Sequence, residues 1–178
     1  MTYDSARRGA IRDLGGKAKR IEVRVQYRGK SWATVQLEVS AAAGREIEAE
    51  RIPATDLSEL GLDGPEFIHC LSARFQIAQK IHAVTTPARE ARGNDRYRDL
   101  IDLWLLRQIG VDAGEIRAAC EDVFRVRAMH PWPPEVHVPE HWATPFTRLA
   151  GEVGLPTVDV EAAAASLREW IAVIAASR

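Results

Sequence analysis

Lys80, Asp99 and Asp102 are the residues whose types and spacing invite chemistry. They fall in "RFQIAQKIHAV" and "NDRYRDLIDLWLL", two stretches otherwise written for a core. In the first, Phe75, Ala78, Ile81 and Val84 recur at helical spacing together with His82, while Gln76, Lys80 and Ala83 line an adjoining edge. In the second, Asp99 and Asp102 are three residues apart and share one side of a helix, bordered by Arg98 and by Leu100, Ile101, Leu103 and Trp104. A lysine ammonium is a compact point charge suited to phosphate, and a carboxylate beside it can orient it or a nucleophile. The same residues can also staple two helices. Carboxylates bordered by apolar side chains need cations, and Lys80, Arg89, Arg92 and Arg98 are the nearby supply. Periodicity leaves staple and site as open alternatives.

Other constellations carry less. "RGKS" resembles the end of a P-loop, but the required earlier glycine would fall at Arg24 and the residues that follow alternate as a strand. His130, His137 and His141 lie in or beside "PWPPEVHVPEHW" without the four-residue helical spacing of a zinc site, and read as surface loop histidines. His82, on an apolar helix face, reads as a satisfied core histidine. Cys70 and Cys120 have no metal-type spacing and are too few for a disulfide framework, so they read as reduced, buried thiols.

The elements that must position Lys80 and the two aspartates follow from pattern. Residues 1 to about 18 show no periodicity and read as a poorly packed lead-in. "RIEVRVQYR" and "WATVQLEVS" then alternate, with Ile21, Val23, Val25 and Tyr27 apolar on one strand and Ala33, Val35, Leu37 and Val39 on the other. A three-residue loop of Gly29, Lys30 and Ser31 keeps both faces pure. It pairs Val25 with Val35, Arg24 with Gln36 and Glu22 with Glu38. A short strand in "REIEAERIP", a turn at "DLSELGL" and a strand in "PEFIHCL" come next. The remainder reads as helical. Ser72 caps a helix to about Thr85, Asn94 caps a second closed by Gly110, and Asp112 opens a third to about Met129. Two more run from about Glu140 to Gly151 and from Asp159 to Ala176. The expected fold class is therefore α/β of the α+β kind, with antiparallel strands over residues 1–70 and a helical bundle over residues 71–178.

At 178 residues the chain has room for one ordinary core, and 46% apolar content fits a globular protein. The net charge of −1 hides a basic lead: residues 1–30 hold nine Lys or Arg against three Asp or Glu, which could face phosphate or simply be solvated. The N-terminus lacks the apolar core of a secretory signal and no apolar run is long enough to span a bilayer, so a cytoplasmic location with no membrane contact is expected.

The order and spacing of "QKIHAV" and "NDRYRDLIDL" resemble the signature of the AbiEii/AbiGii toxin family, nucleotidyltransferases of the DNA polymerase β fold found in type IV toxin-antitoxin pairs. The matching residues are Lys80, Ala83, the loop with Arg89 and Arg92, then Arg98, Asp99, Asp102 and Leu103. "VQLEVS" resembles the family strand that carries a further acidic residue, here Glu38. The resemblance implies that Lys80, Asp99 and Glu38 are catalytic, that Glu38 is a Mg²⁺ ligand, and that Arg24, Arg92, Arg98 and Asp102 face the substrate. It implies transfer of an NMP from an NTP to an acceptor such as tRNA or another RNA, and a cognate antitoxin as partner. The family's "GGxAL"-like or "GS" helix and its "DxD" metal strand do not occur in these residues. Two Mg²⁺ ions need several oxygen ligands and one glutamate does not hold both. The expectation is a chain with the triphosphate-side, helical half of a site, or a protein-binding relative that engages an antitoxin.

Overall fold

A computed structural model describes residues 7–13, 18–40, 49–87, 95–155 and 159–177. Along them lie strands β1 (Arg7–Asp13), β2 (Ala18–Tyr27), β3 (Lys30–Ser40), β4 (Ala49–Pro53) and β5 (Phe67–Leu71). Helices α1 (Ala73–Val84), α2 (Tyr97–Arg107), α3 (Ala113–Arg127), α4 (Ala143–Glu152) and α5 (Val160–Ala176) follow. The class is α+β, strands first and helices after. The chain divides into two compact units, Met1–Ile47 with Arg51–Cys70, and Glu48–Glu50 with Leu71–Arg178.

In the first unit β1, β2 and β3 form an antiparallel sheet in that order. Two features depart from the pattern reading. Residues 7–13 form a strand, with Ile11 opposite Ile21, where a lead-in without structure was expected. The β2–β3 turn is also two residues long rather than three. Arg28 and Gly29 have φ of 51° and 72°, the left-handed pair whose twist matches a tight hairpin. A two-residue turn should mix the faces, but the register shifts between Val25 and Gln26, so that Gln26 faces Ser31 while Val25 faces Ala33 and Trp32 is the extra residue of a bulge. The bulge restores like-facing pairs: Val23 meets Val35 and Ile21 meets Leu37.

That register moves Glu38. It lies opposite Arg20, not Glu22, and Glu22 faces Gln36. Arg24 faces Thr34 on β3 and Arg7 on β1. Such alternation predicts two half-buried strands, and this fails for β3, where Val35, Leu37 and Val39 are 46%, 47% and 54% exposed. A thin sheet needs a covering layer to bury a face, and the described residues of this unit include no α-helix to supply one. Strands β4 and β5 pair as a separate ribbon, with Arg51 stacked on Phe67 at 4.4 Å.

The helical unit holds the core. Ile77, Ile81, Leu103, Ile116, Trp142 and Ile174 are essentially inaccessible, and each such side chain contributes about 1.5–3 kcal/mol of transfer free energy. Helix α1 packs against α2 and α3, and α5 against α2, α3 and α4. Asp112 caps α3 as expected, accepting from the amides of Gly114 and Glu115 at 2.9 and 3.1 Å, and Asp159 caps α5 through Ala162 at 2.7 Å. Ser72 occupies the position before α1, yet its hydroxyl makes no capping bond and is buried without a partner among the described residues. Asn94 lies outside the described residues, and α2 begins after Arg96. Among the described residues no helix is long and apolar enough to cross a membrane.

Candidate active site

Helices α1 and α2 lie against each other through the residues their sequences made apolar: Ile77, Ala78, Ile81 and Val84 on one, Leu100, Ile101 and Leu103 on the other. Lys80 sits on the edge of that seam. Because Asp99 and Asp102 are one helical turn apart, both reach the same ammonium, Asp99 Oδ1 at 3.1 Å and Asp102 Oδ2 at 2.5 Å. The side chain of Asp99 is only 14% exposed, that of Asp102 45% and that of Lys80 28%. Burial by itself pulls the Lys80 pKa down, but its hydrogen bonds and charge interactions with Asp102 and Asp99 outweigh this and the net shift is upward. Lys80 is therefore a permanent cation near neutral pH and is unsuited to serve as a general base.

The second cation at Asp99 is Arg96, whose Nη1 donates to Asp99 Oδ2 at 3.2 Å. The expected supply was Lys80, Arg89, Arg92 and Arg98, without Arg96, although the three-residue spacing from Arg96 to Asp99 is legible in the sequence. Arg98 instead donates to the hydroxyl of Tyr97 at 3.4 Å and is 5.8 Å from the centre of its ring. Arg89 and Arg92 lie outside the described residues. Glu38 and Arg24 belong to the other unit. There Glu38 accepts from the Arg20 guanidinium, from Nη2 at 2.5 Å and from Nε at 3.0 Å, while Arg24 is exposed.

On the far side of α1, His82 is 1% exposed and neither ring nitrogen has a partner among the described residues, so the expectation of a satisfied core histidine is wrong. It packs in an aromatic cluster, 4.8 Å from Phe124 and 4.6 Å from His130 between ring centres. His130 is partly buried rather than a loop surface histidine. Its Nε2 pairs with Thr85 Oγ1 at 2.9 Å, and its Nδ1 is buried without a partner among the described residues. His137 and His141 are exposed as expected. Burial, reinforced by the charges of Arg127 and His130, lowers the His82 pKa from 6.5 to about 4. Cys120 is buried and its thiol is pushed up to about 12, which makes it inert near neutral pH; Cys70 is only partly buried.

Comparison with known families decides the assignment. The family model "Nucleotidyl transferase AbiEii toxin, Type IV TA system" matches residues 3–170. The chain belongs to the AbiEii toxin family. Among curated proteins none matches the chain. As an AbiEii relative it is a nucleotidyltransferase toxin of a type IV toxin-antitoxin system, a class that implies a nucleotide substrate and an antitoxin partner.

The Mg²⁺ that the resemblance implies can be tested against the donor residues. Glu38 is engaged by Arg20, and among the described residues no three of His, Cys, Asp and Glu come together in a way that could hold a metal ion. Mg²⁺ is bound through oxygen donors in near-octahedral geometry. The described residues do not form such a set.

Proposed function

We propose that this AbiEii-family chain carries the triphosphate-binding part of a toxin that transfers an NMP from an NTP to an RNA acceptor such as a tRNA end, under control of a cognate antitoxin protein. The observation that supports the reading is Lys80, held charged and oriented on α1 by Asp99 and Asp102 of α2. Phosphoryl transfer depends on positioning and on charge placed where the phosphate oxygens will be. A lysine in water must be ordered when substrate arrives, at a cost in side-chain entropy. Here the two carboxylates order it beforehand. An ammonium has three N–H donors, and with one directed to each aspartate a third is left to meet a phosphate oxygen. Asp102, the more exposed of the pair, is the carboxylate that an arriving triphosphate can displace, while Asp99 stays anchored by Arg96. The Lys80 head group thus exchanges one anion for another.

The experiment is a thermal melt of purified residues 1–178 with and without NTP, alongside Lys80→Ala and Lys80→Arg. NTP is expected to raise the melting temperature of the parent chain and to have no effect on Lys80→Ala. Lys80→Arg should respond weakly, because a planar guanidinium does not occupy the place of a point charge. A parent chain whose melting ignores every NTP sinks the reading. In a parallel reaction with labelled NTP, RNA and Mg²⁺, no incorporation is expected from these residues alone. Incorporation that depends on Lys80 would show that they assemble a metal site after all.

A further inference from the structure

Helix α2 presents a second feature that the Lys80 site does not use. Leu100, Leu103, Trp104 and Arg107 follow at the spacing of one helix face, and with Ser166 and Trp170 of α5 they line a shallow cleft. The floor is apolar and both indoles are partly exposed. Arg107 lies across its edge, with its guanidinium carbon 5.6 Å from the centre of the Trp170 ring and its Nη1 donating to Ser166 Oγ at 2.9 Å. Arg96, Arg117, Arg125, Arg148 and Arg168 in the same unit each hold a carboxylate. Arg107 is exposed, and no carboxylate among the described residues lies within ion-pair distance of it. It is a cation held in place by a hydroxyl and a ring rather than by an anion.

We infer that this cleft binds the end of a single RNA strand, with a base laid on an indole and the neighbouring phosphate on Arg107. Aromatic platforms beside a cationic group are how single strands are held without base-specific contacts, since every base has a face to stack. An acidic peptide would satisfy the guanidinium but would leave the two indoles without a matching flat partner. Arg107 is eight residues beyond Asp99 on the same helix, about 12 Å along its axis. One helix therefore carries both the carboxylate that orients Lys80 and the cleft. The inference rests on the Lys80 reading only in that the bound strand would then be the acceptor; the cleft itself is a separate set of residues.

The test is fluorescence anisotropy of a short, unstructured oligoribonucleotide, labelled at its 5′ end and titrated with the full chain. Arg107→Gln and Trp104→Leu are each expected to weaken binding by about tenfold, and Arg107→Lys by less. Affinity should fall as salt rises, as phosphate contacts require. Arg107→Gln should leave the NTP-dependent melting shift unchanged. No binding by the parent chain, or equal binding by all variants, overturns the inference while leaving the Lys80 reading intact. An acidic peptide that binds more tightly than the RNA and loses affinity in Arg107→Gln also overturns it. RNA binding that depends on Arg107 in a chain whose melting ignores NTP would uphold the cleft and remove the Lys80 reading.

Discussion

Lys80 on α1 and Asp99 on α2 are joined by a 3.1 Å hydrogen bond across a helix seam, and Asp99 is held from its other oxygen by Arg96. The arrangement makes Asp99 the fixed partner and Lys80 the group with capacity to spare. Both helices are packed by their apolar faces independently of this pair.

The first prediction concerns stability. Lys80→Met removes one of the two cations that Asp99 meets among the described residues, in a site where its side chain is 14% exposed, and should cost about 1–3 kcal/mol. Adding Asp99→Leu removes the stranded carboxylate, and the double variant should return to within about 1 kcal/mol of the parent. Urea unfolding of the single and double variants measures both. A double variant less stable than the single would mean that Asp99 supports the fold through contacts other than the pair.

The second concerns pH. His82 titrates at about 4 in the folded chain against an ordinary 6.5, so between those values the unfolded chain binds more protons than the folded one. Stability should be fully present above about pH 6.5, decline as pH falls toward 4, and level off below as far as this residue is concerned. The full loss corresponds to roughly 3 kcal/mol. His82→Leu should flatten this part of the stability profile, which circular dichroism melts from pH 7 to pH 4 would reveal. An unchanged slope in that variant would assign the acid sensitivity elsewhere.

The third separates the two glutamate roles. Glu38 is 59% exposed at its side chain and paired with Arg20 on the sheet surface, a setting in which an ion pair is worth at most about 1 kcal/mol. Glu38→Gln should therefore shift unfolding by less than that and leave any Mg²⁺ response of the melting temperature as it was. A Mg²⁺ stabilisation that vanishes in Glu38→Gln would restore Glu38 as a metal ligand.

The fourth tests the helix that backs α1. Asp112 satisfies two amides at the start of α3, and Asp112→Ala should cost about 1 kcal/mol by chemical denaturation. Asp112→Asn, which keeps an acceptor oxygen, should recover most of it.

The helical half was legible in the residues because its signals are local. Apolar spacing marked α1 and α2, and Asp112 and Asp159 announced the starts of α3 and α5 by side-chain chemistry that acts within three residues. The three-residue step from Asp99 to Asp102 already put both acids on one side of α2. Strands β2 to β5 were legible as strands, but β1 was not, and neither was the pairing of β2 with β3. One bulge at Trp32 reconciled a two-residue turn with pure faces, and this moved Glu38 from Glu22 to Arg20. Alternation reports which face a residue is on and is nearly silent about a single inserted residue that restores the same alternation.

By itself, then, the sequence determined the class of the fold, the helices that carry Lys80 and Asp99, and a family resemblance that the match over residues 3–170 supports. Tertiary structure alone decided that Arg96 holds Asp99, that His82 is buried with both ring nitrogens unpartnered among the described residues, and that Arg107 lies over Trp170. Those outcomes depend on distances between residues far apart in the chain. Helical propensity and apolar spacing act over a few residues, whereas an ion pair, a desolvated imidazole or a cation on a ring exists only once packing has brought the partners together.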